Sequence, residues 1–284
     1  MESSEDKTIL GAAAISATAS EQAAFIAFRK SLLTQAAPDI NVSHGVDTLM
    51  LCSDLTGHSQ LLSFCISDNH EARVHASGRD LLSRARLMFA AVAPLRFGDK
   101  FFASMPGVMD VAGRSPFWDA LGRNFFQMDF LEAECAIQGA RNRSEIVELM
   151  PHYPIYVPLL PEDARAVIGR IYGGAALPFQ ILCKEGFSAD EYVDIFDGGP
   201  VLRAHKQGLR SFSASVRLRA FASAGDSADR HQFSCLISNT NEMNFRAVIA
   251  TCAWNEDTDR LDLSPETMQG LNVASGDTVL CVRL

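Results

Sequence analysis

Apolar positions along this chain fall into two rhythms, which change over near residue 200. Before it, short apolar runs alternate with stretches in which apolar residues recur every three or four positions. Leu81, Leu82, Ala85, Met88, Phe89 and Val92 share one face of a helix predicted over Arg79–Ala93, which Pro94 ends. Val46–Cys52 and Leu61–Ile66 read as strands, joined by a hairpin-sized connection from Asp54 to Ser59. Phe101–Met109 reads as another, broken by Pro106-Gly107, and Ser115-Pro-Phe-Trp118 as a capped helix start. The apolar run Ile9–Ala19 is expected to be a buried strand. The acidic residues ahead of it are not those of a secretion signal.

The densest stretch is Ile146–Pro200. A proline-bracketed crossing, Met150-Pro-His-Tyr-Pro-Ile-Tyr156, must be extended, because a residue before proline is pushed out of helical space. Pro161–Gly169 reads as a short helix and Ala175–Glu185 as a second, stopped by Gly186. Tyr192–Phe196 reads as a strand closed by the turn Asp197-Gly-Gly-Pro200. Beyond residue 200 the pattern shortens. Segments 231–238, 245–251 and 277–284 alternate or run apolar between Asn, Asp and Gly turns, with a helix start at Ser264-Pro-Glu-Thr. The expected fold is mixed α/β (α+β), with a helix-flanked sheet over 1–199 and a small β-barrel-like domain over 200–284.

Composition narrows the function classes. A chain of 284 residues with 48% hydrophobic and 21% charged residues can bury a full core. A net charge of −9 without a basic run argues against nucleic acid, so an anionic ligand needs a local cationic cluster. No apolar run is long enough to span a bilayer. Seven cysteines without a Cys-x-x-Cys pair point to reduced thiols in the cytoplasm, not to a metal site.

Several blocks carry a resemblance covering nearly the whole chain, from about Thr8 to Leu284. They are Leu81-Leu-Ser-Arg-x-Arg86, Ser115-Pro-Phe-Trp118, Phe125-Phe-x-Met-Asp-Phe130, Glu148-Leu-Met-Pro151, Pro154-Ile-Tyr156, Val167-Ile-Gly169, Glu185-Gly-Phe187, Asp194-Ile-Phe-Asp-Gly-Gly-Pro200 and Gly276-Asp-x-Val279. In these the chain resembles the arginine N-succinyltransferase family, of the GNAT-type acyltransferase superfamily. The resemblance implies a cytoplasmic enzyme that moves succinyl from succinyl-CoA to the α-amine of arginine or ornithine, in arginine catabolism. It implies a co-substrate rather than a resident cofactor, and no metal. It also implies that Leu61–Ile66, the loop Asn69–Gly78 and the helix from Arg79 hold coenzyme A. Phosphate would meet backbone amides at a helix N-terminus there.

The same resemblance nominates Phe64, Gly78 and Arg79 for coenzyme A, and Tyr172 as proton donor. Each site region also departs from the family. The family's glycine-rich loop reads Arg73-Val-His-Ala-Ser-Gly-Arg79 here, with one glycine, and His75 and Arg79 offer compensating charge. Phe64 stands where the family has leucine, which narrows the acyl end. Tyr172 stands two residues beyond the helix-ending Val167-Ile-Gly-Arg in place of a histidine. A phenol, with an ordinary pKa of about 10, donates a proton to a leaving thiolate but is no base at neutral pH. His152 is the nearest other candidate in sequence. Asn241–Arg246 matches only in part and is read as a turn into a strand.

Three outcomes stay open: an active succinyltransferase, a non-catalytic subunit supporting a homologous catalytic one, or an acyltransferase with altered acyl or amine choice. Thr8–Ser16 matches an inner strand of the family domain, so the opening segment is expected to be missing. That in turn leads to an expected homo- or hetero-oligomer with a homologous subunit.

Overall fold

The computed structural model describes residues 1–3, 6–18, 24–37, 42–67, 76–137, 148–223, 232–255 and 258–284. Strands β1 (Gly11–Ser16), β2 (Ala27–Ala37), β3 (Val42–Cys52), β4 (Ser59–Ile66), β5 (Lys100–Ser104), β6 (Ile155–Tyr156), β7 (Ser188–Val193) and β8 (Pro200–His205) form one mixed sheet. Their order is β1-β4-β5-β8-β7-β2-β3-β6. Strands β9 (Val216–Ala222), β10 (Gln232–Asn239), β11 (Ala247–Asn255), β12 (Arg260–Leu263) and β13 (Thr278–Arg283) close into a separate barrel.

Helix α1 (Ala76–Val92) packs on one sheet face, where Leu87 and Ala90 meet Leu61, Phe101 and Ala103. Short helices α2 (Pro116–Ala120), α3 (Gly122–Phe126), α4 (Phe130–Ile137) and α5 (Glu162–Val167) lie in the neighbouring stretches of chain. Phe117 and Trp118 of α2 join Phe28, Leu49 and Val193 in a second core. The predicted cap is real: the Ser115 hydroxyl accepts the Trp118 N–H at 3.2 Å, with Pro116 at the first position. Helix α6 (Ala176–Glu185) ends at Gly186, whose φ of +119° only glycine takes without strain. Helices α7 (Arg210–Ser213) and α8 (Pro265–Leu271) lead into and flank the barrel.

The structure corrects several expectations. β3 and β4 are not a hairpin, since four strands separate them in the sheet. Instead β3 runs antiparallel to β2 from Ala27↔Cys52 to Ala37↔Val42. Residues 54–59 carry the chain across the sheet, anchored by buried Leu55 and by the Ser59 hydroxyl on the Ala17 carbonyl. β2 escaped notice because AFRKSLLTQAA neither alternates nor runs apolar. Within the Ile9–Ala19 run, β1 (Gly11–Ser16) is a partly exposed edge strand rather than a buried one, and Ile9 is exposed. β7 stops at Val193, because the Asp194 carboxylate accepts the Phe196 N–H at 2.9 Å and folds the chain into a turn. The boundary drawn at residue 199 cuts off β8, which lies in the middle of the large sheet. α1 begins three residues before Arg79, placing Gly78 and Arg79 in its first turn.

Candidate active site

β4 and β5 run parallel but pair only at Ser59↔Phe101 and Gln60↔Phe102. Beyond that they part, and a cavity of about 570 Å³ opens between them. A bulge in β4 shapes its wall. Ala12 faces Cys65 and Ala14 faces Leu62, so Ser63 and Phe64 together oppose one residue of β1. Ser63 takes φ +50°, in the left-handed region that a side chain rarely enters. Such strain collects at functional sites.

Three of the four predicted residues converge here. Phe64, Arg79 and Tyr172 all line the cavity, though they come from β4, the first turn of α1 and the segment before α6. Gly78 sits beside Arg79 in that first turn but does not line the cavity. The rest of the expected phosphate loop, 69–75 with Arg73 and His75, lies outside the described residues. His152 is exposed and is not part of the lining.

Tyr172 is positioned from below. Its N–H donates to the Pro106 carbonyl at 2.8 Å, and Ile171 bridges to Gly107. The Asp197-Gly-Gly-Pro turn supports this contact. Asp197 accepts the Gly107 N–H at 2.6 Å and the Gly199 N–H at 2.8 Å. A Cβ on Gly107 would lie 2.4 Å from the Asp197 carbonyl oxygen, so only glycine permits that approach. Burial, with the Asp194 carboxylate nearby, pushes the Asp197 carboxyl up to about 7. The motif that is strongest in sequence is therefore a buttress, not a reacting group. Tyr172 itself is 50% exposed, as a group facing a ligand would be and a core aromatic would not.

The two arginines of Leu-Leu-Ser-Arg-x-Arg have opposite fates. Arg84 turns to carboxylates, with Asp80 at 3.1 Å and buried Glu185 at 3.5 Å. Arg86 lines the cavity. Its role was missed in sequence, although it lies seven residues, two helical turns, beyond Arg79 on the same face. Arg79 and Arg86 are the charged residues in the lining, which among the described residues includes no carboxylate. The remaining wall is largely apolar, including Leu61, Ile66, Met105, Leu177 and Leu182. This combination fits an elongated, mostly apolar ligand with negative charge, and the volume is in the range of small-molecule sites. Among the described residues no cluster of His, Cys, Asp or Glu is placed to hold a metal ion. No described helix is long and apolar enough to cross a membrane.

Comparison with known proteins finds relatives over the whole chain. Residues 1–211 match the family model for the arginine N-succinyltransferase beta subunit, and 216–283 that for its C-terminal domain. The chain is 38% identical to arginine N-succinyltransferase subunit alpha of Pseudomonas aeruginosa, over 99% of this chain and 81% of that one. It is 36% identical to subunit beta of the same organism, over 97% and 78% respectively. The arginine N-succinyltransferase of Escherichia coli is 37% identical, over 100% of this chain and 80% of its own. The solved structure of arginine/ornithine succinyltransferase subunit AI from Pseudomonas aeruginosa superposes with a TM-score of 0.83 at 36% identity. That superposition covers 99% of this chain and 79% of the other. With both parts of the chain matched and the fold shared, this protein belongs to the arginine N-succinyltransferase family.

Proposed function

We propose that the chain transfers succinyl from succinyl-CoA to the α-amine of arginine or ornithine, with the GNAT-type use of a cleft between splayed strands. The observation that carries this reading is the convergence of Phe64, Arg79 and Tyr172 in one cavity. Arg79 and the N–H groups of the first turn of α1 would receive the pyrophosphate. The pantetheine arm would run between β4 and β5, placing the thioester near the bulge at Ser63–Phe64. β4 backbone facing the gap would steady the developing oxyanion.

The amine attacks the thioester carbonyl, the C–S bond breaks and an amide forms. The leaving thiolate takes a proton, and Tyr172 would donate it. The acceptor amine must arrive deprotonated or lose its proton to water. Seven free cysteines fit a reducing compartment such as the cytoplasm. Relatives named as alpha and beta subunits support assembly with a homologous subunit.

Calorimetry with succinyl-CoA and free CoA tests the site. Micromolar affinity, near −8 kcal/mol, is expected. Thiol release on adding arginine then tests the reaction. The absence of heat and of thermal shift at millimolar ligand would sink the assignment.

A further inference from the structure

We infer that Arg86 reads the distal carboxylate of a dicarboxylic acyl group and so sets which acyl thioesters the cavity accepts. The inference rests on the reading of this cavity as an acyl-CoA site. Arg86 is only 7% exposed, yet it lines the cavity. Its Nε donates to the Ser83 carbonyl at 3.1 Å and its Nη2 to the Ser83 hydroxyl at 3.3 Å. Its Nη1 reaches the Leu62 carbonyl at 3.0 Å and the Ala14 carbonyl at 3.4 Å. These bonds use four of the five N–H groups a guanidinium carries, and the fifth, on Nη2, has no acceptor among the described residues.

None of those acceptors is charged. Carbonyls orient a guanidinium without neutralising it, and a buried charge lacking a counter-ion is costly. Arg84, two residues earlier, has its carboxylates and takes no part in the cavity. Burial draws the Arg86 pKa down to about 10, which still leaves the group charged at neutral pH. An incoming carboxylate supplies the missing countercharge through a charge-assisted bond.

Position agrees with this role. At a rise of about 1.5 Å per residue, Arg86 lies roughly 10 Å deeper along α1 than Arg79. One cation therefore stands at the helix N-terminus, for phosphate, and one stands deep, beside the acyl wall. The Phe64 ring lies 6.0 Å from the Arg86 guanidinium, so the group nominated for the acyl end and the buried charge are neighbours.

Butyryl-CoA has the same four-carbon chain as succinyl-CoA, with a methyl in place of the carboxylate. Calorimetry on the wild-type chain should show succinyl-CoA binding at least about tenfold tighter than butyryl-CoA. Arg86→Gln should abolish that preference while leaving affinity for free CoA within about twofold, and Arg86→Lys should keep part of it. A preference that survives Arg86→Gln overturns the inference. So does equal weakening of all three ligands, which would make Arg86 only a staple across the bulge. If the glutamine variant does not fold, equal wild-type affinity for the two thioesters is still decisive against it. A wild-type chain that binds no CoA species at all fails earlier, at the cavity reading itself, and takes the inference with it.

Discussion

The sheet and the barrel are both β-structure, yet only one of them is open. In the barrel every strand has two neighbours, and even the parallel contact of β12 with β9 holds for all four residues of β12. Its interior is filled by Leu218, Ile237, Leu261, Leu271 and Val279, with the buried thiols of Cys235, Cys252 and Cys281. The large sheet starts the same way and then lets β4 and β5 part after two registers. There the backbone and the buried Arg86 face a cavity instead of a neighbouring strand. Closure spends backbone hydrogen bonds on stability, whereas a parted pair leaves groups for a ligand. Helix α1 joins the two regions. Arg79 and Arg86 look into the cavity, while Met88 and Val92 pack on Leu236, Leu280 and Val282 of the barrel.

The largest effect expected from this contrast lies in the closed region. Leu261→Ala, at a fully buried barrel position, should lose about 2–5 kcal/mol of stability. It should change kcat/KM of the folded protein less than about twofold. Denaturant midpoints and steady-state kinetics check both halves, and a large kinetic loss with little destabilisation would mean that the barrel shapes the site. In the open region the order reverses. Tyr172→Phe should leave the denaturant midpoint almost unmoved, since the side chain is half exposed, while kcat falls by roughly 10²-fold. Tyr172→His should keep or raise the rate. An unchanged rate in the phenylalanine variant would assign the proton to water.

The Asp197 buttress predicts a pH dependence. Its carboxyl is raised from an ordinary 3.8 to about 7, so between those values the native state holds a proton that the unfolded chain has released. Stability carried by this group therefore falls as pH rises through that window. Asp197→Asn should flatten that part of the curve. Thermal melts from about pH 4.5 to 7.5 would show it, and parallel curves for the two proteins would count against the raised value. The smallest effect concerns acyl length. Phe64→Leu should raise the kcat/KM ratio of glutaryl- to succinyl-CoA by about tenfold, the scale of one methylene in an apolar pocket. An unchanged ratio would place the ring outside the acyl wall.

What the residues determined by themselves was local, or was carried by motif. Ser115 with Pro116 starts a helix, Gly186 ends one, and Ser264 starts another, because caps depend on neighbours within a few positions. The short-strand rhythm past residue 200 was enough for a barrel-like domain, and matched motifs were enough to nominate Phe64, Arg79 and Tyr172. Tertiary structure alone decided that these three share a cavity, and that Asp197 sits beneath them as a support. It alone sent Arg84 to Glu185 and Arg86 to the cavity, though both stand in one short motif. It also withdrew the expected β3–β4 hairpin and placed β2 against β3. The reason is physical: a strand's partner depends on which crossing the chain makes over the whole sheet, and so on contacts far apart in sequence. Local patterning holds no record of that choice.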